Sequence, residues 1–338
     1  MFTLSTDMKD TTDTKAMRDM ELLLIGKEAV EEALQNEDVL GAVREAFVLH
    51  SQRAGRVFPV VREKLHTGGV FGIKSGDVAS QNLLGFKAAG FWPDNRRLGG
   101  EPHQATVMLF HPATGRPLCV LDGNAITTAR TGAAGGIGLQ LLARSGSTRA
   151  CIFGTGVQAR IQLTWALRLL PDLREICYVS ESGKIDENFE SRFRHHCAIG
   201  LARDRDEAVA GSDIVITATP GASELFHAQA IQPGTHLNCV GADTAGKREL
   251  PAGVLERARI VVDDIGQARA IGECQWAQEL ACVEIGDLLT GKTNFVRNSQ
   301  DITVFDMTGL ALQDLTVARL IYQSALSSGA GVRVPWPW

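Results

Sequence analysis

An α/β protein, with a doubly wound parallel sheet and a second, discontinuous α+β unit, is the fold class this sequence predicts. The first observation behind it is the run Ala150-Cys-Ile-Phe-Gly154-Thr-Gly156-Val-Gln-Ala159-Arg160, where a short apolar stretch breaks into spaced glycines and then into a helical pattern. The second is the series of short apolar runs that follows it, at Glu175–Val179, Asp213–Ala218, His236–Gly241 and Arg259–Asp263. Spaced by helix-like segments, these read as parallel strands buried on both faces. The third is the texture of the chain before residue 122, where strand-length runs alternate with turns, the pattern of an antiparallel sheet or partial barrel.

In the glycine run, Gly154 permits the tight turn and Gly156 lets the backbone approach a pyrophosphate, while small Ala159 lets helix and strand pack closely. The phosphates would sit at the helix N-terminus, where unpaired N–H groups point. A glycine-rich turn alone is weak evidence; the strands downstream give it the setting of a Rossmann unit.

The remaining elements follow in order. Residues 1–20 are polar and charged and are expected to form a loose tail. From Glu21 to His50, apolar residues at helical spacing (Val30, Ala33, Leu34, then Val39, Leu40, Val43, Phe47) predict one or two amphipathic helices. Strands are expected at Arg56–Arg62, Gly69–Lys74, Leu83–Phe91, Ala105–Phe110 and Leu118–Leu121, with turns at Pro93-Asp-Asn95 and Pro112-Ala-Thr-Gly115. Thr127–Leu142 is rich in Ala and Gly and apolar on most sides, a helix packed very closely on its neighbours. Near the C-terminus come a strand at Ile302–Phe305 and a helix from Leu310 to about Ser324, for which a completed doubly wound sheet has no room. The chain is therefore expected to return to its first unit. The predicted division is 21–132 with 305–338 as a substrate-binding and dimerisation domain, and 133–304 as the dinucleotide domain.

Composition narrows the classes. With 338 residues, 44% hydrophobic and 22% charged, the chain is long enough for two domains, and its net charge of −5 gives no reason to expect nucleic acid. Its seven cysteines are scattered without a CxxC pair, which suits buried thiols in a reducing cytoplasm better than disulfides or zinc. His195-His196-Cys197 has no partner cluster in sequence, so no metal is expected. No run approaches the roughly 18 apolar residues a membrane span needs.

Charges inside apolar strands are costly unless paired, so each is a question about function. Lys87 sits in Gly85-Phe-Lys-Ala-Ala-Gly90, Arg130 in Thr127-Thr-Ala-Arg-Thr-Gly132, Arg62 after Val60-Val61, and Asp243 at the end of Val240-Gly-Ala-Asp243. Each is open to a bland reading as a structural ion pair or a solvated strand end. Taken together, the three cations suit clamping of carboxylates, and an Asp past the carboxyl end of a parallel strand lies where ligand-facing groups of such sheets lie.

Three stretches, Asp122-Gly-Asn-Ala-Ile-Thr-Thr-Ala-Arg130-Thr131-Gly-Ala-Ala134, Gly154-Thr-Gly-Val-Gln-Ala159, and Val240-Gly-Ala-Asp243 with Gly246-Lys-Arg-Glu-Leu250, resemble the ornithine cyclodeaminase/mu-crystallin family. The resemblance runs from about residue 21 through Asp306-Met-Thr-Gly309 and Asp314-Leu-Thr-Val-Ala318. It implies NAD(P)-dependent chemistry on amino acids through imines, on a Rossmann domain joined to a discontinuous dimerisation domain. Carried over by position, Arg62, Lys87 and Arg130 would hold the substrate carboxylate, with Gln104 and Asn95 in support. Lys87 and Asp243 would be catalytic, Asp243 as acid/base. Cofactor contacts would come from Thr131, Gly154, Gly156, Val157, Gln158, Glu181, Thr219, Val240, Gly241 and Thr308. Acidic Glu181 favours NAD over NADP, because a carboxylate accepts from the ribose 2′-hydroxyl and repels a 2′-phosphate.

Within that family, Phe58-Pro-Val-Val-Arg-Glu63, Leu84–Asn95 and His103-Gln-Ala-Thr106 look most like the branch containing iminosuccinate reductase. Lys74 is a further cation where many members carry an apolar residue. The expectation is NAD-dependent reduction of an imino acid, iminosuccinate to aspartate, by a cytoplasmic homodimer. Ornithine cyclodeamination, alanine dehydrogenase or ketimine reductase activity, and a crystallin-like nucleotide-binding protein without chemistry are the alternatives.

Overall fold

The computed structural model describes residues 21–337. The tail expected over residues 1–20 lies outside the described residues. Strands β1 (Glu21–Ile25), β2 (Arg56–Val57), β3 (Val61–Lys64), β4 (Val70–Val78), β5 (Leu83–Phe91), β6 (His103–Phe110) and β7 (Pro117–Asp122) open the chain. There follow β8 (Arg149–Phe153), β9 (Glu175–Val179), β10 (Ala198–Leu201), β11 (Ile214–Thr217), β12 (His236–Cys239), β13 (Ala258–Val262), β14 (Cys282–Glu284), β15 (Ile302–Asp306) and β16 (Val332–Pro335).

Two sheets result. The first runs β16-β1-β7-β6-β5-β4-β2, with β3 also paired to β4. It is antiparallel except where β1 lies parallel to β7. One face is covered by the helices Lys27–Asn36, Val39–Ser51, Gly123–Leu142 and Ala311–Ser328, whose Val43, Phe47, Ile137, Leu312, Leu315 and Ile321 join Val107, Leu109 and Leu121 in one core. Each such fully buried side chain is worth roughly 1.5–3 kcal/mol against exposure.

The second sheet is parallel throughout, in the order β10-β9-β8-β11-β12-β15-β13-β14. Its strands read as unbroken apolar runs because both faces are covered: along β11, Val215 enters one core while Ile214 and Ile216 enter another. The chain runs outward from β8 to β10 and then returns to place β11 on β8's other side. The carboxyl ends of β8 and β11 therefore flank a topological switch point, where such sheets bind ligands.

The Gly123–Leu142 helix holds the two sheets together. A Cβ at Gly135 would lie 1.9 Å from Gln162 Oε1, and one at Gly138 would lie 2.4 Å from Phe305, so the small residues of this stretch are dictated by close approach. The Ala311–Ser328 helix leaves the second sheet, packs on β4, β5 and the Val39–Ser51 helix, and leads to β16, which pairs antiparallel with β1.

Several element expectations are corrected. Glu21–Ile25 is a strand, not the start of a helix; its Leu22, Leu23 and Ile25 are buried and Gly26 separates it from the first helix. The single run expected at Arg56–Arg62 divides at Phe58-Pro-Val60, because proline cannot donate to a ladder. The small-residue helix begins at Gly123, not Thr127, since Asp122 caps it by accepting from Asn124 N at 2.8 Å. Strands β10 and β14 were not foreseen; four and three residues long at the sheet's edges, they carry little periodic signal.

Candidate active site

A cavity of about 170 Å³ opens where β3, β4, β5 and β6 of the first sheet meet the carboxyl ends of β12 and β13. Arg62, Lys74, Lys87 and Arg130 line it, with Asp243 and Asp263 opposing them. Thr131, Gln158, Val240 and Thr308 are in the same wall, as is His103.

Lys87 reaches the cavity from β5 and Arg130 from the Gly123–Leu142 helix, and one carboxylate serves both. Asp314 Oδ1 accepts from Lys87 Nζ at 2.8 Å and from Arg130 Nε at 3.1 Å, all three groups being buried. Asp314 comes from the final helix, which is why that helix must return to the first sheet. Burial and then the Arg130 charge bring the Lys87 pKa down to about 7, against the opposing pull of Asp314. Asp314 itself resists its burial and is held below the ordinary carboxylate range by Lys87 and Arg130.

Lys74 donates to the carbonyls of Thr308 and Gly309, both at 2.7 Å. Burial and Arg130 lower it to about 8. Asp263, at the end of β13, accepts from Thr308 Oγ1 at 2.9 Å and from Gly309 N, and burial raises its pKa. Lys74 and Asp263 thus fix the Met307–Gly309 turn that forms the cavity floor.

Arg62 projects from β3 and donates to Thr244 Oγ1 at 2.7 Å and Asp243 Oδ2 at 3.3 Å. Lys247 donates to Asp243 Oδ1 at 3.1 Å. Burial would raise the Asp243 pKa, but Lys247 and Arg62 bring it down to about 2. In this arrangement Asp243 is a standing carboxylate that accepts, not a proton donor at neutral pH.

The residues expected at a nucleotide lie along the adjoining strand ends. Gly154 has φ +102°, and a Cβ there would fall 2.7 Å from Ala218 O. At Gly156 a Cβ would meet nothing within 4 Å, and no side chain caps the 13-residue helix Val157–Leu169 that follows. That free helix N-terminus beside a glycine turn fits a pyrophosphate. Val157 is exposed there. Glu181 is exposed two residues past β9, whose Val179 O accepts from Gly154 N at 2.9 Å. Thr219 and Gly241, at the ends of β11 and β12, both bond to buried Glu249: Thr219 N at 2.8 Å, Thr219 Oγ1 at 2.7 Å and Gly241 N at 2.9 Å.

Two expectations are corrected. Gln104 does not reach the cavity: it is exposed and its Nε2 donates to Glu101 O at 2.9 Å. Side chains alternate along β6, so the neighbouring His103 faces inward instead. Asn95 bonds Glu101 O in the exposed turn before β6 and likewise does not line the cavity. Asp314, Asp263, Glu249 and Lys247 were missed as site residues. Asp314 is the one with a legible signal, an acid inside the apolar pattern of the last helix.

Parallel sheet, glycine turn and a cavity lined by four cations define a protein of the dinucleotide-binding class. The chain belongs to the ornithine cyclodeaminase/mu-crystallin family, whose model matches residues 20–329. It is 33% identical to the alanine dehydrogenase of Archaeoglobus fulgidus over 93% of this chain and 98% of the relative. It is 32% identical to the iminosuccinate reductase of Paracoccus denitrificans over 93% and 99%. The crystal structure of that reductase in complex with NAD+ superimposes with a TM-score of 0.84 at 29% identity, covering 93% and 99% of the two chains. An archaeal alanine dehydrogenase dimer with bound NAD gives 0.86 at 32% identity, again over 93% and 99%.

Proposed function

We propose that this chain is an NAD-dependent imino-acid reductase, and that its preferred substrate is a dicarboxylic imino acid of the iminosuccinate type, yielding aspartate. The observation that carries the substrate class is charge. Among the described residues, the cavity wall holds four cations, Arg62, Lys74, Lys87 and Arg130, against two carboxylates, Asp243 and Asp263. Adding the groups behind them, Lys247 and Asp314, leaves the same excess of two positive charges. Buried excess charge is costly without a counter-ion, and two carboxylates on one small molecule supply it.

The Gly154–Gly156 turn and the N-terminus of the Val157–Leu169 helix would hold a reduced dinucleotide, whose chemistry there would be hydride donation to the imine carbon. The chain's own residues do the rest. Arg62 and Arg130 hold carboxylate, Arg130 in an orientation set by Asp314. Lys87, poised at about 7, gives its proton to the imine nitrogen, making the iminium whose C=N electron pair returns to that nitrogen when the carbon is reduced. Asp243, kept anionic, steadies the positive iminium in the cavity. The division into 21–132 with 305–338 and 133–304 serves this by placing the substrate between the two units. Glu181 favours NADH over NADPH.

A homodimer is part of the same reading: β16 is an outer strand, and Leu24 and Val332 leave apolar surface at that edge for a second copy to cover. No helix among the described residues is long and apolar enough to cross a membrane.

The test is NADH oxidation with ammonium and either oxaloacetate or pyruvate, alongside proline and ammonia formation from ornithine in the presence of NAD. Faster turnover with oxaloacetate is expected. A clear preference for pyruvate would move the substrate to alanine's imine, and ornithine turnover to proline without NADH oxidation would replace the reading by cyclodeamination.

A further inference from the structure

His103 lines the cavity beside Lys87, Arg130 and Asp243, and its hydrogen bonds determine which ring nitrogen carries the proton. Its Nδ1 lies 3.1 Å from Asn124 Oδ1. The orientation of that amide is fixed independently: Asn124 Nδ2 donates to His103 O at 3.1 Å and to Glu101 Oε2 at 3.1 Å, and both partners only accept. The amide oxygen must therefore face the ring, and Nδ1 must be the N–H that it accepts from. In a neutral imidazole this leaves Nε2 as a bare lone pair. Burial, and then the neighbouring Lys87 and Arg130, lower the ring's pKa, so the neutral form prevails.

Most charged groups around the cavity donate, and besides His103 the wall offers Gln158 Oε1 as an acceptor without a partner. The carboxylates that accept are already engaged, Asp243 by Arg62, Lys247 and Thr244, and Asp263 by Thr308 and Gly309. His103 Nε2 accepts no hydrogen bond from any described residue. A half-buried acceptor of this kind, open to the cavity, discriminates between ligands that bring it a hydrogen and those that do not.

We propose that His103 Nε2 accepts a hydrogen bond from the substrate's nitrogen, and so selects imino and amino acids over the oxo and deaminated acids of the same skeleton. An imine or amine presents N–H at that place; a carbonyl oxygen presents a second lone pair and a methylene presents nothing. The inference rests on the imino-acid reading of the cavity, but binding tests it without turnover.

The experiment is calorimetric titration of the protein–NADH complex with two matched pairs, aspartate against succinate and alanine against propionate, which differ only in the amino group and do not react with NADH. Wild type is expected to favour the amino member of at least one pair by about 10-fold or more. His103→Leu should lower that preference by about 10–100-fold while leaving the deaminated acid, NADH affinity and thermal melting unchanged. His103→Gln, whose amide oxygen can accept, should restore most of it; a structural role for the ring would not divide the variants this way. No amine preference in wild type, an undiminished preference in His103→Leu, or equal loss in both variants would overturn the proposal. Should the protein reduce no imino acid yet keep a His103-dependent amine preference, the proposed reaction falls and the assignment of His103 stands.

Discussion

Lys74 and Lys87 stand directly opposite each other on β4 and β5, a half-buried and a buried cation at one rung of an antiparallel ladder. Like charges so placed repel, and the structure separates their partners: Lys74 turns to the Thr308 and Gly309 carbonyls, Lys87 to Asp314. The cost remains visible in both groups, brought down to about 8 and about 7 by burial and by Arg130. The arrangement concentrates positive charge at the cavity and leaves Lys87 able to titrate near neutral pH.

Lys87 as proton donor must be charged, so kcat/KM for imine reduction should be level below about 7 and fall as pH rises beyond it. Asp314→Asn removes the carboxylate that raises this pKa and should move the fall to lower pH. It also strands Lys87 and Arg130 with less compensation, at a cost of about 3–5 kcal/mol in denaturant unfolding. A profile unchanged in the variant would detach Lys87 from the proton step.

Asp243→Asn keeps the shape of the group that Arg62 and Lys247 contact but removes its charge. Because that charge steadies the iminium, the expected loss in kcat is about 10²-fold or more, with NADH affinity nearly unchanged. Wild-type turnover in this variant would remove Asp243 from the mechanism.

Replacing Glu181 by Arg should shift the kcat/KM ratio from NADH toward NADPH, since the charge past β9 changes from repelling a 2′-phosphate to attracting it. An NADPH preference already present in wild type would sink the assignment.

His50 Nε2 lies 3.0 Å from Asp264 and 3.6 Å from Glu284, joining the Val39–Ser51 helix to the second sheet. Burial opposes its charge, but both carboxylates raise its pKa from 6.5 to about 9. A raised folded-state pKa contributes stability that is fully present below 6.5 and lost as pH climbs through about 9. His50→Gln should therefore destabilise by about 3 kcal/mol near pH 6, less through the window, and hardly at all above it, as read by urea unfolding across pH.

Gln104→Ala should be silent, within about 0.5 kcal/mol in stability and with unchanged kcat/KM, because its exposed amide bonds only Glu101 O. A large loss of activity would return Gln104 to the site.

Sequence determined by itself the parallel sheet, the glycine turn and the identity of most of the cavity's cations. Periodicity survives in long covered strands such as β8 and β11, and a charge inside an apolar run stands out whatever surrounds it. Arg62, Lys87 and Arg130 were legible for that reason, whereas Lys74 stood out only against the family's pattern. What they bind was not: Asp314 meets Lys87 across 227 residues and Asp243 meets Arg62 across 181. The tertiary structure also decided that His103 rather than Gln104 faces inward, since strand register sets which of two adjacent side chains turns to the core, and one residue of slip reverses it. It decided the state of each acid and base as well, because a pKa is fixed by burial and by charges brought near through folding rather than by neighbours in the chain.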